Sequence, residues 1–537
     1  MIMKKYILYV LLIFLNMNFF TACFDDKSTD PDHPIPDIVI DTIGIPGAFR
    51  VTQNERLTIR PKVRRDNGDT SDLSYKWMLN TVATTTQATG ANYSNYVCIG
   101  ESEVLDTIIF LAPNEITYFL WFQVTDNKTQ YRRDILWKVL VQSAYNEGIL
   151  IANTKDGRTT DFSLIEGQQF TEGWTGADKI THNLYSNANG NTMDGLVKQI
   201  CHSYNSVTKS KRFYCIGNDF YTLVDGLEYK LVGRDFEVIY DNTLSMKPEQ
   251  IFFSSTGYIV WVNDGNMYPF NKGIARDYPN IQIPMGYAVQ EGETQKIKTS
   301  KIDKYVAYTH QSGNSKSAWG VWYDKAEGRF LCQKGYPYVK KSIETFVSDP
   351  QKAFDPNNLP GLETVYAAIG VNGDFYMIMK NTTTGVYQVY VIERTTSSAK
   401  YLYNIPGNEM DQAIGYVVSE DGNVIYFATS TQIYAIVLGG VSPQVNLLYT
   451  ISSGEITHFS MFRQAWYLIN PMTYVSGAGY KVPIDTHENL LLTGVWDGNN
   501  GTLYTIPIVS ASGGSIDQNN IKTYSGFGKI LTVVSQQ

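Results

Sequence analysis

Cysteine, histidine and charge are all scarce in this chain, and each scarcity removes a class of function. The 537 residues include five cysteines and six histidines. No CxxC pair occurs, so a thiolate zinc site has no ligand set. His33, His182, His202, His310, His458 and His487 are scattered, with no HExxH among them. There is no GxSxG elbow and no P-loop. Ser397 and Lys400 have SxxK spacing but lack the companion motifs of a serine acyl-enzyme. Asp66, Asp69 and Asp72 miss calcium-loop spacing and read as a solvated loop. No metal, cofactor or catalytic residue is therefore expected. Paired carboxylates for glycoside chemistry escape such a search, because the partners can lie far apart in sequence.

Charged residues make up 18 % of the chain, the net charge is −8, and no basic run occurs. That argues against nucleic-acid binding. Long apolar runs are also lacking. The single candidate, 6–20, is about 15 residues, shorter than the ~20 that span a bilayer, and Asn16 and Asn18 interrupt it.

That run has another reading. Lys4 and Lys5 precede it and Thr21-Ala22-Cys23 follow it, which is the order of a secretory leader ending in a lipoprotein junction. Residues 1–22 are expected to be removed, leaving Cys23 as a lipidated N-terminus. The alternative is an ordinary secretory signal cut near Ala22, with Cys23 an incidental thiol. Residues 23–37 are rich in Asp, Pro and Ser and read as a flexible linker. Asp25-Asp26-Lys27 resembles the surface-export signal of Bacteroidota lipoproteins, which implies the extracellular face of the outer membrane.

Aromatics reach 13 %, with 38 tyrosines, and glycines number 43. This is the composition of an exported all-β protein. Residues 38–145 carry strand patterns at 38–43, 56–63, 73–80, 107–111, 116–125 and 134–142, separated by turns such as Asn67-Gly68 and Asp126-Asn127. So many short strands in this length suggest a β-sandwich. Trp77 stands where an immunoglobulin-like fold places its core tryptophan, and Tyr118 opens an alternating strand. The segment resembles the polycystic-kidney-disease (PKD) type of immunoglobulin-like module.

Residues 146–537 repeat a β-rich run, a glycine turn and another β-rich run. The turn marks are Asp156-Gly157, Asp225-Gly226, Asp264-Gly265, Ser312-Gly313, Asn372-Gly373, Asp421-Gly422 and Asp497-Gly498. Their average spacing of about 57 residues suits one four-stranded propeller blade. A seven-bladed β-propeller is expected, with six or eight blades as alternatives and a parallel β-helix as the rival fold. Two apolar segments, 148–153 and 529–535, lack partners of their own, and pairing them would close the ring. Cys201 and Cys215 flank a polar turn; they are read as two buried thiols, with a cross-hairpin disulfide as the alternative. Trp77, Trp121, Trp137, Trp261 and Trp322 lie in strand patterns and are expected in the core.

Loop aromatics are the candidate ligand platform. Trp174 lies in Glu-Gly-Trp-Thr-Gly, Tyr336 and Tyr338 in Gly-Tyr-Pro-Tyr, and Tyr474 in Met-Thr-Tyr-Val-Ser-Gly. Flat rings outside strand alternation suit stacking on sugars or peptide side chains.

Tether, sandwich and strand array in this order resemble the PKD-like family of surface lipoproteins in Bacteroidota. Asn146-Glu147-Gly148-Ile149-Leu150-Ile151 is similar to that family's domain junction. The resemblance implies a non-enzymatic accessory subunit working beside a Sus-like (starch-utilisation-type) TonB-dependent porin and its lid lipoprotein. It would bind oligopeptides or oligosaccharides for uptake and touch the membrane through its lipid alone. A surface hydrolase or lyase on the same scaffold, favoured by a carboxylate pair facing one cleft, and an adhesion or assembly module are the alternatives.

The tether makes the first prediction. Cys23→Ala should move the protein from the membrane pellet to the soluble fraction, as read by blotting fractionated cells. A variant that pellets like the parent would overturn lipid attachment at this position.

Overall fold

The structure is a computed structural model that describes residues 36–84, 95–114, 116–145, 147–205, 210–239, 244–253, 259–270, 302–309, 318–334, 343–440, 442–465 and 484–536. The chain divides into two compact units, Met1–Gln142 and Ser143–Gln537. Among the described residues, no helix is long and apolar enough to cross a membrane.

The first unit is an immunoglobulin-like sandwich. Its larger sheet runs Ala48–Thr52, Arg132–Gln142, Tyr118–Asp126, Leu73–Asn80, Tyr96–Gly100 in spatial order. Ala48–Thr52 joins Arg132–Gln142 in parallel, and the other pairs are antiparallel. Strand alternation sends Trp77, Phe122 and Val124 inward, where the Trp77 ring stacks on Phe122 at 4.1 Å and Trp137 at 5.7 Å. The buried indole N–H of Trp77 donates to Ser102 O at 2.8 Å, so this large ring leaves no orphaned donor in the core. Tyr118 OH donates back to Ala112 O at 2.7 Å, the tyrosine corner of immunoglobulin-like folds. Trp121 departs from the expected core set. It takes the opposite parity from Phe122 and is half-buried, with Arg132 5.2 Å over its ring.

The strand expected over 56–63 is two strands, Arg56–Ile59 and Lys62–Arg65, in different small sheets. Pro61, with no N–H for a ladder, stands at the break. Arg65 then turns inward to meet Asp126 at 2.9 Å, with both side chains buried. The guanidinium holds the Asp126 carboxyl down at about 2.

In the second unit, seven antiparallel sheets resembling propeller blades follow one another among the described residues. Six are opened by the strands Gln199–Asn205, Pro248–Phe253, Ile302–Tyr308, Leu362–Ile369, Gly415–Val418 and Glu455–Met461. The remaining sheet combines Gly148–Thr154, Thr159–Glu166 and Lys179–Thr181 with the C-terminal strand Lys529–Gln536. The expected closure is therefore present. Ile149 lies opposite Ser535, Ile151 opposite Val533 and Thr154 opposite Lys529. Asn153 Oδ1 accepts from Gly528 N, and Tyr229 OH donates to Gln536 Oε1 at 2.5 Å. Gly528 has no room for a side chain, since a Cβ would sit 2.3 Å from Thr154 O.

The faces of the sheets explain why the strands read as continuous apolar runs. Leu150 and Ala152 pack on one side with Ile200 and Phe213 of the next sheet. Ile149 and Ile151 pack on the other side with Leu492 and Leu503 of the last. Each successive pair of sheets shares such a cluster, and the cycle returns to its start. The glycine marks scatter within this repeat. Asp264-Gly265 lies between second and third strands, whereas Asn372-Gly373 lies between first and second.

Cys201 faces Tyr214 across the hairpin and Cys215 faces Ile200. Each cysteine belongs to a different inter-sheet cluster, on opposite faces of the sheet. Both are buried free thiols, so the disulfide alternative fails on strand parity. Burial pushes the Cys201 thiol up to about 12.

Removing residues 529–537 strips the inner strand from the first sheet and uncovers its neighbours. Fully burying one side chain such as Ile530 contributes roughly 2–3 kcal/mol, and Ile530 is wholly buried here. The truncated protein should melt about 10 °C or more below the parent, or aggregate. Unchanged melting in a thermal scan would mean that the ring closes without this strand.

Candidate functional site

The first strands of successive sheets splay like spokes and cannot form backbone ladders with one another. Side chains bridge them instead. Gln199 takes both backbone groups of Ile251, donating to its O at 2.8 Å and accepting from its N at 3.0 Å. Gln250 repeats the arrangement on Val306, at 3.2 and 2.8 Å. Asp303 accepts from Thr364 N at 2.7 Å, and Thr457 donates to Ile530 O at 2.8 Å.

Around these bridges lies a funnel of about 970 Å³, lined by the leading residues of the first strands and by the hairpin that ends Phe375–Asn381. Three cations and three carboxylates line it: Lys198, Lys304, Lys380, Glu249, Glu363 and Asp411. Lys304 Nζ meets Glu363 at 2.7 Å and Lys380 Nζ meets Asp411 at 2.6 Å. These contacts lower the Glu363 and Asp411 carboxyls and raise both ammonium groups. Lys198 Nζ donates to Pro248 O at 2.5 Å, and burial lowers its ammonium. Glu249 accepts from Gly265 N at 2.8 Å. His458, 2.8 Å from Ser460 Oγ, is pushed down to about 4 by burial and is neutral at physiological pH.

Aromatic rings form one wall. Tyr305, Tyr366 and Tyr416 come from three consecutive first strands and line the funnel. Their centroids are 5.6 Å apart for the first pair and 5.8 Å for the second, the latter pair stacked. All three are partly exposed. Tyr387 adds a hydroxyl that donates to Asp411 at 2.9 Å, beneath the Lys380 ammonium.

Trp174 is not in this wall. It lies between Thr159–Glu166 and Lys179–Thr181, half-buried in its own loop, with its indole N–H donating to Ala177 O at 3.1 Å. A connection between third and fourth strands sits at the opposite end of a blade from the leading residues of first strands. Cys23, Tyr336, Tyr338 and Tyr474 lie outside the described residues. The missed tyrosines carried a weak signal: a ring followed by two small or branched apolar residues, as in Tyr305-Val306-Ala307, Tyr366-Ala367-Ala368 and Tyr416-Val417-Val418. The sequence reading singled out loop aromatics alone and passed over these strand tyrosines, whereas the inner strands of such an array also line its axis.

The carboxylates that face one cleft are Glu249, Glu363 and Asp411 of the funnel lining; Glu420 and Glu488 form a further pair away from it. Arg463 holds Glu420 at 3.1 Å and Glu488 at 3.0 Å and also donates to Val418 O, clamping the last two sheets. Burial raises the Glu420 carboxyl, with Glu488 adding to the rise and Arg463 opposing it, to about 8. Lys400 of the SxxK sequence is spent on Asp374 at 2.7 Å. Among the described residues, no cluster of His, Cys, Asp and Glu is arranged to hold a metal.

Comparison with known proteins places a PKD-like domain at the N-terminus: the model of the PKD-like family matches residues 23–196, less than half of the chain. No curated protein matches. Among solved structures, a quinonprotein alcohol dehydrogenase-like protein from Bacteroides thetaiotaomicron is 10% identical, with TM-score 0.39, covering 94% of this chain and 100% of its own. The Pan2 WD40 domain of Neurospora crassa is 8% identical, with TM-score 0.35, over 60% and 78%. PorZ, a surface component of the type-IX secretion system of Porphyromonas gingivalis, is 10% identical, with TM-score 0.28, over 72% and 48%.

The Arg463 clamp has a pH signature. A carboxyl raised in the fold favours the folded state while protonated, so its contribution falls as pH climbs from about 5 towards 8. Glu420→Gln cannot ionise, and its melting temperature should gain on the parent across that window. A difference that is flat or reversed in scanning fluorimetry would mean that Arg463 keeps Glu420 ionised throughout.

Proposed function

We propose that this protein is a surface lipoprotein that captures an extended, polar oligomer for a Sus-like TonB-dependent porin and its lid. Its second unit is read as a seven-bladed propeller with the capture site in the axial funnel. The observation that carries this reading is the funnel: concave, walled by three tyrosines and edged with internally paired charges. Its volume stands near the top of the usual range for small-molecule sites, about 300–1,000 Å³, enough for several monomer units. Seven sheets with a closed cycle of shared clusters support the blade count. The leader and Cys23 support the address. Of the three carboxylates that line the funnel, Glu363 and Asp411 are each held by a lysine and Glu249 by a backbone N–H, which favours binding over hydrolysis.

The rim tests the site without touching the core, because the Lys380 and Asp411 side chains remain 36% and 47% exposed. The double variant Lys380→Met, Asp411→Asn should bind a mixed peptide and oligosaccharide panel about 5–10-fold more weakly, as expected for losing roughly 1 kcal/mol of contacts, with its melting point kept. Trp174→Ala should bind as the parent does. Calorimetry giving the opposite ranking would return the site to the loop aromatics.

A further inference from the structure

Resting on the reading of the funnel as a capture site, we infer that it takes a neutral oligosaccharide. Charge comes first. The six ionised groups that line it balance to zero, and each has a partner within the protein: Lys304 with Glu363, Lys380 with Asp411, Lys198 with Pro248 O and Glu249 with Gly265 N. His458 adds no charge, since burial keeps it neutral. An ionic ligand would have to break an existing ion pair to engage Lys304, Lys380, Glu363 or Asp411, and would have to compete with a backbone hydrogen bond at Lys198 and Glu249. A hydroxyl, which both donates and accepts, can bridge an ammonium and a carboxylate held side by side and leave the pair intact.

The backbone supplies the second argument. Extended peptides are held by adding a strand to an open edge, through main-chain hydrogen bonds. The first strands that wall the funnel have no such edge at the bridges. Gln199 occupies both backbone groups of Ile251, Gln250 both groups of Val306, and Asp303 the N–H of Thr364. At these bridges the wall offers side chains in place of backbone groups.

Those side chains suit pyranose rings. Tyr305, Tyr366 and Tyr416 make a continuous aromatic wall across three sheets, partly open to the funnel. The apolar C–H faces of successive sugars pack on such rings, while the hydroxyls at their edges reach the paired charges around Tyr387 and Lys304. Ring contact and hydroxyl contact are thus offered on the same wall.

Calorimetry on the full mature chain decides the matter, with maltohexaose, cellohexaose, xylohexaose and mannohexaose as neutral probes. A tryptic casein digest and oligogalacturonate serve as charged ones. At least one neutral hexaose should bind, with affinity changing less than twofold between 50 and 500 mM salt, since no ion pair forms. Tyr366→Leu, which keeps apolar bulk, should weaken that binding about tenfold or more, and Tyr366→Phe should retain most of it. Binding of the peptides or the acidic glycan alone, falling with salt, would overturn the neutral-sugar inference and leave the capture role standing. Binding of none of the six would overturn both.

Discussion

The pairing of Gly148–Thr154 with Lys529–Gln536 is the contact on which the second unit depends. Every sheet there has two apolar faces, and each face is buried by a neighbour. A linear stack of such sheets would end in two bare faces and two open edges, a surface that invites association. Joining the two ends of the array removes both liabilities with one ladder. Tyr229 and Asn153 lock that ladder at its margins, from the second sheet and from the strand Gly148–Thr154 itself.

Closing a ring of radiating sheets creates a second constraint at the axis. Inner strands too far apart for a common ladder still present N–H and C=O groups that need partners. Glutamine side chains, whose amide reproduces the donor and acceptor of a peptide group, and an aspartate that supplies an acceptor fill the gaps between successive strands. The same substitution leaves the bridged part of the funnel wall presenting side chains where a strand edge would present backbone groups.

Much of this was legible from residue order. Leu73–Asn80 matches its expected span because Leu73, Tyr75 and Trp77 alternate with Ser74 and Lys76. The two unpartnered apolar segments were recognisable because continuous apolar runs of strand length imply burial on both sides. The expectation of one strand over 56–63 passed over Pro61, where the run splits, and nothing in the sequence told which sheet each half would join. The funnel was hidden for a physical reason. Tyr366 and Tyr416 sit in patterns indistinguishable from core strands, and only ring closure turns one end of those strands towards the axis. Trp174 stood out because glycine surrounds it, yet its ring is satisfied within a few residues.

The closing strand also has a consequence for how the chain comes into being. Lys529–Gln536 follows every other strand of the array in sequence, while its partner Gly148–Thr154 is first. During vectorial synthesis, the other sheets emerge and hairpin locally while the first sheet waits with its inner edge bare. A pairing of such large sequence separation is slow to form, and partly assembled chains with open edges aggregate. The nascent array therefore spends its most vulnerable interval nearly complete, and folding of the whole unit is committed only when this strand pairs.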